Sequence, residues 1–203
     1  MADIRTVLII ASGLIAILST VPYIRDTLRG RTHPNVVSWF TWTLLNGINA
    51  AAAWSVGARQ TAVFSLLSGM ATGAIVVVGL RNGLKHYSRF DISCQAAALA
   101  GIILWQLTAN PNVAVLVSLG ADFSGFLPTY RHALGAPHEE TWQLFALSAC
   151  AAGLALLAVP RYSFIALASP LYIFCANMVM CTTILVLRRR VSAARVLQAT
   201  AEA

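Results

Sequence analysis

The sequence predicts an all-α membrane protein with seven transmembrane helices, arranged as two parallel triple-helix bundles joined by one linker helix. Three observations carry this prediction. The chain of 203 residues is 58% hydrophobic and only 10% charged, with a mean hydropathy of +0.73, whereas a soluble domain carries about a quarter charged residues. Seven apolar runs follow one another, each closed by charge, glycine or proline. Landmarks of the first half also recur in the same order in the second half. A soluble core of this length could not hide so much apolar surface, but a bilayer accepts it.

The runs cover residues 4–24, 36–56, 61–80, 92–109, 113–130, 141–159 and 163–187. A helix crossing the hydrocarbon needs about 20 mostly apolar residues, and lipid offers no partner to unpaired backbone groups, so each run is expected to be helical. The first has only Arg5 in front and ends Thr20-Val21-Pro22-Tyr23 rather than at a small-residue cleavage site, which favours a retained helix over a removed leader. The fourth and fifth are split only by Asn110-Pro111-Asn112, a turn signal. The remaining separators, 25–35, 57–60, 81–91, 131–140 and 160–162, read as short loops. Cys94, Cys150, Cys175 and Cys181 fall inside apolar runs, so all four read as small packing residues.

The net charge of +7 has a topological reading. With seven spans, one side receives Arg5, Arg59 and Arg161; the other receives Arg25, Arg29, Arg31, Arg81, Lys85, Arg89, Arg131, Arg188, Arg189, Arg190 and Arg195. Eleven against three places the N-terminus outside and the C-terminus in the cytoplasm, in a plasma or inner membrane. The basic character then belongs to loops beside anionic head groups and calls for no nucleic acid.

The internal repeat sets the domain division. Val21-Pro22-Tyr23-Ile24-Arg25 is echoed by Leu127-Pro128-Thr129-Tyr130-Arg131, 106 residues later. Ser38-Trp39 is echoed by Thr141-Trp142 at an offset of 103, and Arg81 by Arg188 at 107. The expected units are a first triple-helix repeat over 1–89, a linker helix over 90–110, a second repeat over 111–190 and a cytoplasmic tail over 191–203. An odd linker makes both triplets run the same way, a parallel repeat about the membrane normal.

On these residues, Pro22-Tyr23-Ile24-Arg25 through Gly30-Arg31-Thr32 to Val37-Ser38-Trp39, with the second copy opening at Pro128-Thr129, the sequence resembles the SWEET and PQ-loop superfamily. It departs from that pattern where the glutamine after proline is Tyr23 or Thr129. The PnuC-like vitamin transporters share the same layout and fit the sequence equally well. The resemblance implies a transporter working by alternating access, with Pro22 and Pro128 as hinges. It also implies pocket lining by Asn177, whose partner in the first repeat is replaced by Met70.

Other candidates come from the residues themselves. Proline removes a backbone hydrogen bond and kinks a helix, so Pro22 and Pro128 mark bends near helix ends. Asp122 is the only acid well inside an apolar run; intramembrane acids are functional candidates by default, and such a carboxyl can take up and release a proton. Its setting, Asp122-Phe123-Ser124-Gly125, resembles an acidic segment of proton-coupled lysosomal PQ-loop transporters. Packing alone would also explain it. Asn46 and Asn49 in the second run are candidate pathway residues or interhelical hydrogen bonders. Trp42 lies one turn before Asn46 on the same face, whereas Trp39, Trp54, Trp105 and Trp142 read as interfacial belt residues. Pro170 and Tyr172 are expected to interrupt the seventh helix, and broken helices often mark binding sites. Gly69 and Gly73 form a small-residue pattern for close packing.

Catalytic and metal-binding patterns are not found: His33, His86, His132 and His138 lie in loops, and no HExxH or serine–histidine arrangement occurs. The expectation is therefore a non-enzyme without metal or cofactor. Its partners would be the lipid bilayer and a small-molecule substrate, with homo-oligomerisation left open. The leading function is a small-molecule transporter or facilitator with Asp122 as a site of proton coupling. The alternative is a non-transporting seven-helix receptor or accessory protein of the same layout.

Overall fold

A computed structural model describes residues 4–55, 59–84, 86–107, 111–159 and 163–201. Among these residues every regular element is helical and none is a strand: α1 Ile4–Leu18, α2 Thr20–Leu28, α3 Val36–Ser55, α4 Arg59–Asn82, α5 Arg89–Leu107, α6 Pro111–Gly135, a 3₁₀ turn at Pro137–Glu139, α7 Trp142–Leu157 and α8 Phe164–Ala201. Lys85, Asn110 and Arg161, used above for the charge count and the turn, lie outside the described residues.

Local chemistry explains the boundaries. Pro22 has no N–H to offer the carbonyl of Leu18, and the helix is interrupted at Ser19, one turn earlier. Ser19 keeps right-handed helical angles and donates its N–H to Ile15 at 2.8 Å, so α1 and α2 follow one another as a nearly continuous rod. Gly30 stops it: at φ +66° it lets Gly30 N bond Thr27 O at 3.0 Å and Arg31 N bond Asp26 O at 2.9 Å, the Schellman pattern. Asn35 caps α3 through Oδ1, which accepts from Val37 N at 3.1 Å. Ser88 and Asp91 form a reciprocal capping box on α5, with Ser88 N donating to Asp91 Oδ2 at 2.7 Å and Asp91 N donating to Ser88 Oγ at 3.2 Å. Pro111 opens α6, the position where its missing N–H costs nothing.

Among the described residues, four stretches are long and apolar enough to cross a membrane: Ile4–Leu28, Val63–Asn82, Arg89–Leu107 and Ala166–Ala193. Trp142–Leu157 is a shorter apolar helix, and α3 is diluted by Ser38, Thr41, Thr43, Asn46 and Asn49. The exposed shell agrees with a lipid solvent, because Ile4, Ile9, Ile10, Leu14, Leu18, Leu80, Ile103, Leu104 and Leu157 all point outward.

In packing, α4 contacts α3 and also α1 and α2; α8 contacts α7 and α6; α1 runs along α7; α3 runs along α6; and α5 lies against α6 and α3. Small residues of α4 pack on α3, with Gly69 facing Asn46 and Gly73 facing Thr43, as the glycine spacing predicts. The core gathers Tyr23, Trp39, Ile75, Phe126, Phe145, Met180 and Ile184.

Several sequence expectations are corrected. The helix bearing Pro128 continues to Gly135 and the one bearing Pro22 to Leu28, so both prolines sit nearly two turns from their helix ends. Neither Pro170 nor Tyr172 interrupts α8, which is one helix of 38 residues; only the Ala166 carbonyl opposite Pro170 loses a partner there. Cys94 and Cys181 are buried packing residues, but Cys150 and Cys175 are exposed. Trp39 is 2% exposed and belongs to the core rather than to an interfacial belt.

Candidate functional site

Asp122 projects from α6 toward α3 and α8. Tyr172 of α8 donates its hydroxyl to Asp122 Oδ2 at 2.7 Å. The indole of Trp42 on α3 lies beside the same carboxyl, and its N–H can only donate. Three residues singled out from sequence, Asp122, Tyr172 and Trp42, therefore meet in one place. The backbone beneath is held close, because Ala121 packs on Gly101 of α5 and Thr41 of α3 on Gly125. Leu45, Ile102 and Ala121 form an apolar floor, with Trp42 and Ile48 against it. One oriented phenol donor, with an indole beside it, makes the carboxyl a fixed anionic or protonatable point in an otherwise apolar setting.

The other predicted pathway residues are elsewhere. Asn46 donates to the carbonyl of Trp42 one turn back at 2.8 Å and packs over Gly69 of α4. Asn177 likewise satisfies its own helix, donating to Ile173 O at 2.8 Å. Asn49 is exposed. Pro22 is half-buried beside the break at Ser19, whereas Pro128 is buried within an uninterrupted α6.

Sequence reasoning missed a second polar cluster, where the loops 29–35 and 136–141 come together with residues 83–84 and 86–88. This basic end holds Arg25, Arg29, Arg31, Arg81, Arg131 and Arg188. Glu140 is wholly buried, as is Tyr23. The Tyr23 hydroxyl donates to Glu140 Oε2 at 2.9 Å and accepts from Trp39 Nε1 at 3.3 Å. Alongside, Thr141 donates to Asp26 Oδ2 at 3.2 Å, so the 2.6 Å contact between the Thr32 and Thr141 hydroxyls has Thr32 as donor. Arg188 spends its guanidinium on carbonyls, at 2.9 Å from Pro137 O and 2.6 Å from Glu140 O. Burial pushes the Glu140 carboxyl up to about 8, helped by the Glu139 charge and opposed by the Tyr23 hydrogen bond and Arg188. The one sequence signal was the pair Glu139-Glu140 set directly before an apolar helix start.

A cavity of about 270 Å³ adjoins this cluster, lined by residues that include Asn35, His86, Asp91, Pro128, Arg131 and His132. Asp91 is buried and engaged with Ser88, and Arg131 stacks over Phe90 at 5.0 Å. No group of three or more His, Cys, Asp or Glu side chains suited to a metal occurs among the described residues. No protein-family model, curated protein or solved structure matches this chain.

Proposed function

We propose that the chain is a small-molecule membrane transporter or facilitator that alternates access between two three-helix halves. The carrying observation is the Asp122 carboxyl on α6, bonded by Tyr172 of α8 and flanked by the Trp42 indole of α3. A site assembled from both halves of the chain changes its access when those halves rock.

Helix neighbours support the repeat. The third helix of each half, α4 or α8, packs against both others of its half. The two contacts between halves, α1 with α7 and α3 with α6, are equivalent under the repeat. This is the layout expected of a divergent relative of the SWEET and PQ-loop proteins, with α5 as the linker and the basic end in the cytoplasm. A single carboxyl faced by neutral donors suits a neutral or cationic substrate, or proton-coupled movement.

The test is flux of a substrate panel into proteoliposomes under an imposed pH gradient, for the wild type and Asp122→Asn. Proton-driven uptake lost in the variant supports the reading. Ligand binding without flux of any compound transfers the protein to the receptor class. A reporter fused at the C-terminus reads the orientation, with cytoplasmic activity expected.

A further inference from the structure

We propose that Glu140 and Tyr23 form a proton-dependent latch that ties the basic ends of the two halves together. The tie runs between segments more than a hundred residues apart. Tyr23 to Glu140 is one strand of it, at 2.9 Å; Thr32 to Thr141 to Asp26 is a second; His33 N to Glu139 O, at 3.0 Å, is a third. Trp39 steadies the Tyr23 hydroxyl from α3.

What makes the latch sensitive to protons is that Glu140 is wholly buried, with Oε1 lacking any partner among the described residues. A neutral carboxyl tolerates that setting, but an ionised one leaves charge on an oxygen with no donor. The surroundings do not neutralise it. From α8, Arg188 directs its donors at the carbonyls of Pro137, His138 and Glu140. From the 3₁₀ turn, Glu139 adds like charge, and it stands 3.5 Å from His132 of α6. From α2, Asp26 is paired with Arg25 at 3.0 Å. His33, in the loop before α3, engages the Asn82 carbonyl.

The raised carboxyl pKa fits this geometry: the packed form holds a proton up to about pH 8, while an opened, hydrated Glu140 returns to its ordinary 4.5. Between those values the packed end binds one proton more than the open end, so opening is favoured about tenfold per pH unit as pH rises and levels off above 8. On the alternating-access reading, on which this last step rests, proton release at the basic end accompanies its opening.

The experiment is amide hydrogen exchange of the full chain in lipid nanodiscs from pH 5 to 9, corrected for intrinsic exchange. The readout is the amides of Thr32, His33 and Glu139. Wild type is expected to lose protection about tenfold per unit up to pH 8, and Glu140→Gln to be flat. Tyr23→Phe removes the bond that steadies the carboxylate, so the slope should extend to higher pH. A flat wild-type profile, or an unchanged slope in Glu140→Gln, overturns the latch. If Glu140→Gln does not fold, the Tyr23→Phe profile decides, and an unmoved upper limit overturns it. Flux is not the readout, so a chain that transports nothing but shows the slope keeps the latch and loses only its role in transport.

Discussion

Tyr172 and Asp122, fifty residues apart in the chain, meet at 2.7 Å with the phenol as donor. This bond joins α8 to α6, and the Trp42 indole of α3 lies beside it. Hydrogen bonds to charged groups contribute about 1.5–3 kcal/mol. Replacing the carboxylate by an amide in Asp122→Asn should therefore weaken binding of a cationic substrate about tenfold or more. Tyr172→Phe should reduce it less, since the carboxylate charge itself remains. Equilibrium binding and initial uptake rates with both variants check this order.

Glycine positions give a paired stability prediction. A Cβ on Gly83 would lie 2.5 Å from Gly79 O and 2.6 Å from Pro34 O. Both are backbone atoms that cannot swing aside, so Gly83→Ala should cost about 1–3 kcal/mol. A Cβ on Gly120 meets nothing within 4 Å, and Gly120→Ala should be neutral or stabilise by up to about 1 kcal/mol through helix propensity. Thermal unfolding of both variants in the same detergent gives the comparison.

Overall stability should fall as pH rises across the window from 4.5 to about 8. There the folded state binds more protons than the unfolded one, giving a slope of at most about 1.4 kcal/mol per pH unit. Below 4.5 the contribution is fully present, and above 8 it is gone. Melting temperatures between pH 5 and 9 should show this decline in the wild type and a flatter line in Glu140→Gln.

Arg188 satisfies the Pro137, His138 and Glu140 carbonyls at once. Arg188→Ala leaves them without that donor and should cost about 1–3 kcal/mol. Arg188→Lys should recover only part, because an ammonium lacks the planar fork. Denaturant midpoints for the two variants measure the difference.

The helices were legible because long apolar runs and their punctuation are local signals. Asn110-Pro111 marked the α5–α6 division, and Pro22 marked the interruption at Ser19. Asp122, Trp42 and Tyr172 were legible as polar or aromatic exceptions within such runs. Where Asn49 and Asn177 face was not legible, because a helix's rotation about its axis, which decides where a side chain points, is set by packing that no local pattern records. Glu140, Asp26 and Asp91 escaped notice for a related reason. They lie in segments that read as solvated loops, and their burial arises only when helix ends distant in sequence close over one another.

The unbroken α8 also has a mechanical meaning. From Tyr172 to Ala201 it extends about 44 Å at 1.5 Å per residue. A tilt of about 10° pivoting at Tyr172 would sweep the far end through roughly 8 Å on that length. The helix is thus an amplifying pointer, its short arm on the Asp122 carboxyl and its long arm beyond Arg190. A fluorophore pair spanning that long arm and α5 would turn sub-ångström events at one side chain into a distance change large enough to follow in single molecules.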